Sequence, residues 1–458
     1  MPLVNIIRQR IVVISLIFLT AFGIRLLVWN NKRAEAGQVQ TRVTQNYKHL
    51  AGLIKTNGLG SLFDASSTTS DPDLLGHPPG YSLLLTVVYR IFGESDSAIQ
   101  RVQIFCDSLC AVIILLVAAE LLTFDVGTIA GFLAAVSPQF SWNSILLLPD
   151  TLAALPILIA VYLLARAWKR PSWLPLFVAG ACIGVSCWLR ANGLLLAPFL
   201  TLLLLFIFPR GLGIRRVKLA LALLAGFLLI LAPLTIRNAV VFGHFIPVSL
   251  GAGQTLLEGI GDYDEAARFG VPNTDLGIMQ QEAEAHHRPD YAATLFGPDA
   301  IQRDRERLRR GFAIIRAHPF WFLSVVVRRA ADMWRLERVP LISNQRLSAG
   351  WTRYPNAIVR AVQRLFITAV MLPLVLAGLL ILIWRRQFAV LAILVAVPFY
   401  YSCTQSILHT EYRYVLTLHY FLFVIAAVAI RQIGSWGAER LHSRRTQPSR
   451  NGVSTTSR

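Results

Sequence analysis

Apolar residues along this chain come in long uncharged blocks, separated by short polar linkers and by two long polar segments. A helix that crosses a bilayer needs roughly 20 mainly apolar residues. Ten blocks read as such helices: 11–29, 99–122, 126–148, 151–168, 173–189, 193–208, 217–236, 363–384, 388–405 and 412–430. The pattern predicts an all-α polytopic membrane protein of about ten transmembrane helices. The first block follows Arg8 and Arg10, has no small-residue cleavage signal at its end and is interrupted by Arg25. Residues 1–30 are therefore expected to be a retained signal anchor rather than a cleaved signal peptide.

An eleventh apolar stretch, 79–92, holds only about 14 residues, a length that suits an interfacial helix better than a span. Charge decides its placement. With ten spans and the N-terminus inside, the linkers Trp168–Arg170, Arg210–Lys218 and Trp384–Arg386 fall inside, as does the tail with Arg440, Arg444, Arg445 and Arg450. An eleventh crossing would put all four basic segments outside, against the positive-inside preference. The expected order is an anchor (1–30), a first outer loop (31–98) with a juxtamembrane helix at 79–92, and a transmembrane core (99–236). A second outer loop (237–361), C-terminal spans (362–431) and a basic cytoplasmic tail (432–458), disordered after Gly434, follow. Within the second loop, Asp299–Arg338 alternates arginines with the apolar patch Phe320–Val327 at helical spacing, so amphipathic helices on the membrane surface are expected there.

Composition agrees. Of 458 residues 55% are hydrophobic and only 15% charged, where soluble domains carry about a quarter. Mean hydropathy is +0.55. The net charge of +19 would suggest nucleic acid in a soluble protein; here it reads as topogenic charge beside spans and lipid head groups, with no nucleic-acid partner. The cysteines, Cys106, Cys110, Cys182, Cys187 and Cys403, all lie in apolar blocks and read as small packing residues.

Candidate chemistry gathers at the outer ends of the spans. Arg190 ends the fifth span, Arg237 the seventh, and Arg413 opens the tenth. Each runs against the positive-inside preference. Snorkelling to lipid phosphates explains any one of them; three on one face suggest a shared anionic ligand, since guanidinium matches phosphate oxygens in a fork. Carboxylates on the same side are general-base candidates: Asp71 and Asp73 in the first loop, Asp150 at the start of the fourth span, Glu411 beside Arg413, and the cluster Glu258, Asp262, Asp264 and Glu265. The competing structural roles are turn formation beside Pro72, capping at Thr151, ion pairing of Glu411 with a rim arginine, and a solvated loop. Asp107 and Glu120 lie on the second span, where ionisable residues are functional suspects, although Glu120 sits near the inner end and Asp107 has neighbouring helices to bond. Gly180 and Gly184 mark close helix packing. His77 sits among prolines; His286 and His287 are a weak metal signal.

The order of short motifs is informative. His77-Pro78-Pro79-Gly80-Tyr81 leads to Ile91-Phe92-Gly93. Leu148-Pro149-Asp150-Thr151-Leu152, Trp188-Leu189-Arg190-Ala191-Asn192, Pro233–Asn238 with Phe242-Gly243, and Glu411-Tyr412-Arg413-Tyr414 follow. Over roughly residues 10–430 the chain resembles the bacterial GT-C glycosyltransferases related to dolichyl-phosphate-mannose–protein mannosyltransferases, aminoarabinose transferases and Rgt-type lipopolysaccharide sugar transferases. The resemblance implies a GT-C-like fold in the plasma (inner) membrane and an inverting sugar transfer from a polyprenyl-phosphate donor to a lipid, glycan or protein acceptor on the outer face. The residues above fit this chemistry: Asp71, Asp73 or Asp150 as the catalytic base, and His77, Arg190, Asn192, Arg237, Glu411 and Arg413 for substrate binding. No cofactor is indicated, and use of a divalent metal is left open. The chain departs from the family at one place: an Asp is usual shortly before a Tyr in the first outer loop, but Tyr47 follows Val43-Thr44-Gln45-Asn46. Either Asp71, Asp73 or Asp150 fills the role, or the chain has lost transferase activity. The rival functions are a flippase for a lipid-linked solute, which calls for broken helices in matching halves and midplane charges, and a non-catalytic scaffold descended from a transferase.

Overall fold

The computed structural model describes residues 2–39, 42–68, 71–297, 299–342, 352–409 and 411–446. Among them there are α-helices, short 3₁₀ turns and no strand. The helices are α1 (Pro2–Gln38), α2 (Arg42–Asn57), α3 (Gly80–Phe92), α4 (Asp96–Leu121), α5 (Phe124–Val136), α6 (Pro138–Asn143), α7 (Asp150–Lys169), α8 (Trp173–Leu189), α9 (Leu196–Ile207) and α10 (Ile214–Phe242). They continue with α11 (Ala252–Gly261), α12 (Asp275–Ala285), α13 (Ala300–Ala317), α14 (Pro319–Asp332), α15 (Arg353–Gln363), α16 (Thr368–Trp384), α17 (Phe388–Ile407) and α18 (Leu416–Thr446).

Six helices among the described residues are long and apolar enough to cross a membrane, and a seventh crossing arises if α15 and α16, bent by 55° at their junction, act as one. The chain is an all-α multi-pass membrane protein. Helices stand where each of the ten apolar blocks lies, but α5, α8 and α9 are shorter than a full crossing. The block 126–148 differs most from expectation. Its helix stops at Val136, Ser137-Pro138 restarts it as the short α6, and the rest is irregular. Pro138 has no N–H to donate to the preceding turn and its ring crowds that turn, which weakens the helix where it breaks. The C-terminal helix α18 also runs to Thr446, past the point at Gly434 where disorder was expected; residues 447–458 lie outside the described part.

Helix α18 runs through the middle of the bundle, with nearly every side chain from Val415 to Ala429 buried. Other helices turn large apolar side chains outward, as Phe206, Leu229, Ile236 and Trp384 show, which suits a lipid surround. Helices α8 and α10 pack backbone to backbone: a Cβ on Gly180 would lie 1.8 Å from the Leu223 carbonyl oxygen, and one on Gly226 1.9 Å from that of Phe177. Only glycine permits this approach.

A buried ion pair fixes α1 to the bundle. The Arg25 Nε donates to Asp107 of α4, and the Tyr420 hydroxyl of α18 donates to the other Asp107 oxygen at 2.7 Å. Arg25 Nη1 also donates to the carbonyls of Ala21 and Ala135, both at 3.1 Å, and Nη2 to that of Ala134 at 3.4 Å. The carbonyls of Ala134 and Ala135 belong to the last turn of α5, which has no helical partner for them. Arg25 therefore caps α5 from within the bundle, and Asp107 neutralises it. Glu120 lies 3.8 Å from Lys169.

The second polar segment folds as a helical layer. Arg303 and Arg307 of α13 are buried on Glu282 of α12, at 2.7 and 2.6 Å. The expected amphipathic stretch is two helices, α13 and α14, broken at His318-Pro319.

Candidate active site

Asp150 is positioned by an irregular segment that buries its own backbone. Residues 144–149 link α6 to α7, and backbone away from water must find partners. Three polar side chains from two other helices supply them. Gln100 of α4 donates to the Ile145 carbonyl at 2.7 Å, Gln103 to that of Leu146 at 2.6 Å, and Thr44 of α2 to that of Leu147 at 3.1 Å. Gln103 is held in turn by the Tyr81 hydroxyl, 2.8 Å away. Pro149 then precedes α7 as its N-cap, so Asp150 enters the first turn and is buried.

The Asp150 side chain faces Arg190, which ends α8. Its Oδ1 lies 3.1 Å from Arg190 Nε, out of line for a hydrogen bond, and its Oδ2 has no protein partner. The Arg190 guanidinium lies over the Tyr414 ring at 4.4 Å. Arg413 approaches the same ring at 5.3 Å and pairs with Glu411, whose Oε2 lies 2.6 Å from its Nε. The Tyr414 hydroxyl donates to Glu411 Oε1 at 3.3 Å. Two arginines and two carboxylates thus surround one aromatic ring, with a carboxylate oxygen and two guanidinium Nε atoms lacking hydrogen-bond partners. Buried charge of this kind is costly unless something completes its hydrogen bonding.

The third wall comes from the first polar segment. A Cβ on Gly80 would lie 2.4 Å from the Trp188 carbonyl oxygen, so glycine lets the start of α3 sit against the end of α8, two residues before Arg190. This brings His77 and Tyr81 in. The Tyr47 ring of α2 lies 5.1 Å from His77 and 5.0 Å, edge to face, from Tyr81, and its buried hydroxyl has no hydrogen-bond partner. Burial first, then Arg190, push the His77 imidazole down to about 4, with Asp275 pulling the other way and Arg413 adding the smallest push. His77 is neutral at pH 7. Burial also raises the Tyr47 phenol, opposed by Arg190, so Tyr47 stays protonated.

The other expected residues lie as follows. Asn192 follows Arg190 in a 3₁₀ turn, and its carbonyl accepts from Tyr400 at 2.8 Å. Arg237 is engaged elsewhere: its Nε donates to the Leu62 carbonyl at 3.0 Å and its Nη1 to Asn238 Oδ1 at 2.9 Å, which ties α10 to the 3₁₀ turn Leu59–Phe63. Asp71 is exposed ahead of the 3₁₀ turn Pro72–Gly76, its carbonyl accepting from Leu74; the Asp73 side chain lies outside the described part. Glu258 of α11 is buried beside Gln254 and Asp275, and burial raises its carboxyl to about 10. Among the described residues no group of three or more His, Cys, Asp or Glu side chains is gathered as a metal site. Gln100, Gln103 and Trp142 escaped the sequence reading. A pair of glutamines one helical turn apart at the head of an apolar span was the available signal.

Residues 76–236, from the His77 motif to the end of α10's apolar stretch, match the family model of dolichyl-phosphate-mannose-protein mannosyltransferases. The whole chain superposes on the oligosaccharyltransferase of Archaeoglobus fulgidus. For the apo form the TM-score is 0.54 at 16% identity, covering 97% of this chain and 53% of that one. The figures are the same for the form bound to an inhibitory peptide and a dolichol-phosphate. The chain has a GT-C-like membrane fold. It spans about half the length of the oligosaccharyltransferase it matches. Comparison with curated proteins finds no match.

Proposed function

We propose that the protein is an inverting glycosyltransferase of the plasma membrane that moves a sugar from a polyprenyl phosphate to a lipid, glycan or protein acceptor on the outer face. The observation that carries this reading is the Asp150–Arg190–Tyr414–Arg413 cluster, with an unpartnered carboxylate oxygen beside two guanidinium groups. The mannosyltransferase match over the segment holding Asp150 and Arg190 supports it, as does the shared fold with a protein solved with a dolichol-phosphate.

In this mechanism Arg190 and Arg413 hold the donor phosphate. The acceptor hydroxyl attacks the anomeric carbon from the opposite side, the new carbon–oxygen bond forms as the bond to the phosphate oxygen breaks, and the sugar inverts. The leaving phosphate is stable as an anion, so fixed guanidinium groups replace a general acid. Asp150 Oδ2 takes the proton of the attacking hydroxyl and passes it to water. The phosphate competes with Asp150 for Arg190, so donor binding frees the carboxylate for that task. His77, neutral and beside the Tyr47 ring, offers a hydrogen bond without adding charge; Asn192 and Glu411 line the same rim. Asp71 and Asp73 stand as acids of the first outer loop, and Arg237 shapes that loop through Leu62.

The test is release of polyprenyl phosphate from a panel of polyprenyl-phosphate sugars by the protein in nanodiscs, with lipid, glycan and peptide acceptors supplied. Asp150→Asn removes the base at nearly constant size and should slow release at least about a hundredfold, since a general base contributes roughly 10²–10⁴-fold. Normal rates in this variant would move the base to Asp71, Asp73 or Glu411. No release with any donor would leave a non-catalytic protein.

A further inference from the structure

Across the 3₁₀ turn Tyr412–Val415 from the Asp150 cluster lies a cavity of about 310 Å³, near the lower limit of roughly 300 Å³ for ligand pockets. Arg413 points from this turn toward Tyr414 and Glu411, while Tyr412 and Val415 line the cavity. The Tyr412 hydroxyl accepts from Trp142 Nε1 at 3.1 Å, which fixes the wall between the two sites.

The remaining lining carries a specific set of hydrogen-bonding groups. His419 Nε2 contacts the Met333 carbonyl at 3.1 Å. A carbonyl only accepts, so Nε2 carries the proton. That leaves Nδ1, buried and without a partner, as an acceptor for a hydroxyl. Arg335 and Arg338 touch only the edge of Asp332, at 3.4 and 3.5 Å, so most of their N–H groups are free for an anion. Arg329, by contrast, is spent on the carbonyls of Ser406, Leu408 and Gly259, and Asp262 on His409. Tyr263 adds a phenol that donates to Asp332 at 3.3 Å. A cationic fork, a hydroxyl acceptor and two tyrosines fit a small hydroxylated anion.

We infer that this cavity binds an acidic sugar or a hydroxylated phosphate, at a site distinct from the Asp150 cluster. The sources of such a group are a free or acceptor saccharide and the head group of phosphatidylglycerol. The inference does not depend on catalysis, because binding alone tests it. Binding of glucuronate, glucose and inorganic phosphate is measured by calorimetry on the full chain in phosphatidylcholine nanodiscs, with undecaprenyl phosphate as a separate titrant for the proposed donor site. Glucuronate should bind saturably and at least about tenfold more tightly than glucose, since one charge-assisted hydrogen bond contributes roughly 1.5–3 kcal/mol. The double variant Arg335→Gln/Arg338→Gln, on the partly exposed rim, should lose at least about tenfold of that affinity, and His419→Phe should weaken it as well, both with undecaprenyl phosphate binding intact. If phosphatidylglycerol is the occupant, glucuronate binding disappears in phosphatidylglycerol nanodiscs; if a saccharide is, it persists. Absence of saturable glucuronate binding in phosphatidylcholine, or equal affinity in the folded double variant, overturns the inference. Loss of undecaprenyl phosphate binding alone would count against the transferase reading and leave this one standing.

Discussion

Removing Asp107 should destabilise the bundle more than removing Asp107 and Arg25 together would suggest. In the structure every polar group of this buried set is engaged. Arg25 meets Asp107 and three helix carbonyls, and the second Asp107 oxygen takes the Tyr420 hydroxyl at 2.7 Å. Asp107→Leu strands a guanidinium and a phenol in the core, and Arg25→Leu strands a carboxylate. Either should cost about 3–5 kcal/mol, the usual range for breaking one side of a buried pair. In Arg25→Leu/Asp107→Leu no charge is left. What remains are the last-turn carbonyls of α5 without donors and the Tyr420 hydroxyl without an acceptor, losses of about 1–3 kcal/mol for an unsatisfied buried group that Arg25→Leu and Asp107→Leu each already carry. The double variant should therefore lose no more than either single one, with a coupling energy of at least about 3 kcal/mol. Equilibrium unfolding in mixed detergent micelles, run as a double-mutant cycle, measures this. Additive losses would refute the reasoning, as would a single-variant loss below about 1 kcal/mol, the level of an exposed pair.

Gly180→Leu should abolish stable folding or sharply lower the unfolding temperature, because the Leu223 backbone occupies the space its side chain needs; a thermal scan near that of the wild type would contradict the packing. Between about pH 6.5 and 4 stability should fall as pH falls, by at most about 1.4 kcal/mol per unit from His77. The folded imidazole titrates near 4 and the unfolded one near 6.5, so the unfolded chain binds the extra proton, and His77→Gln should flatten the slope in pH-dependent unfolding. A topology reporter fused after Gly93 should read as outside, since α3 has 13 residues, about 20 Å against a core of roughly 30 Å; a cytoplasmic reading defeats the assignment. Arg413→Lys should weaken sugar transfer at least about tenfold, because a point charge lacks the guanidinium fork, read as the rate of polyprenyl phosphate release.

Much of the fold was legible because lipid allows few solutions. Long apolar blocks have to be helices, and residues 79–92 are one short helix. The Gly180 and Gly184 spacing pointed to close helix packing, and the partner proves to be α10. What the sequence hid was where an apolar block fails to be one helix. Residues 126–148 read as a span, yet Pro138 divides it, and the irregular turn it creates is what delivers Asp150. That turn survives through Gln100, Gln103 and Thr44, residues with no chemical signature of their own. Asp150, Arg190, Glu411, Arg413 and His77 were readable as single residues from their places at span ends and in short motifs. Their meeting around Tyr414 was not, since it depends on how α3, α7, α8 and the Tyr412–Val415 turn converge. Arg237 shows the limit of the charge argument. It runs against the positive-inside preference as Arg190 and Arg413 do, but a nearby carbonyl and Asn238 employ it.

If the Asp150 cluster transfers a sugar from a polyprenyl phosphate, a strain lacking the protein leaves that donor unconsumed among its lipid-linked sugars. Mass spectrometry of its lipids should show one polyprenyl-phosphate sugar accumulating. The wild-type gene should clear it, and Asp150→Asn, present at normal abundance in the membrane, should not. An unchanged profile of lipid-linked sugars, or full clearance by Asp150→Asn, would contradict the account.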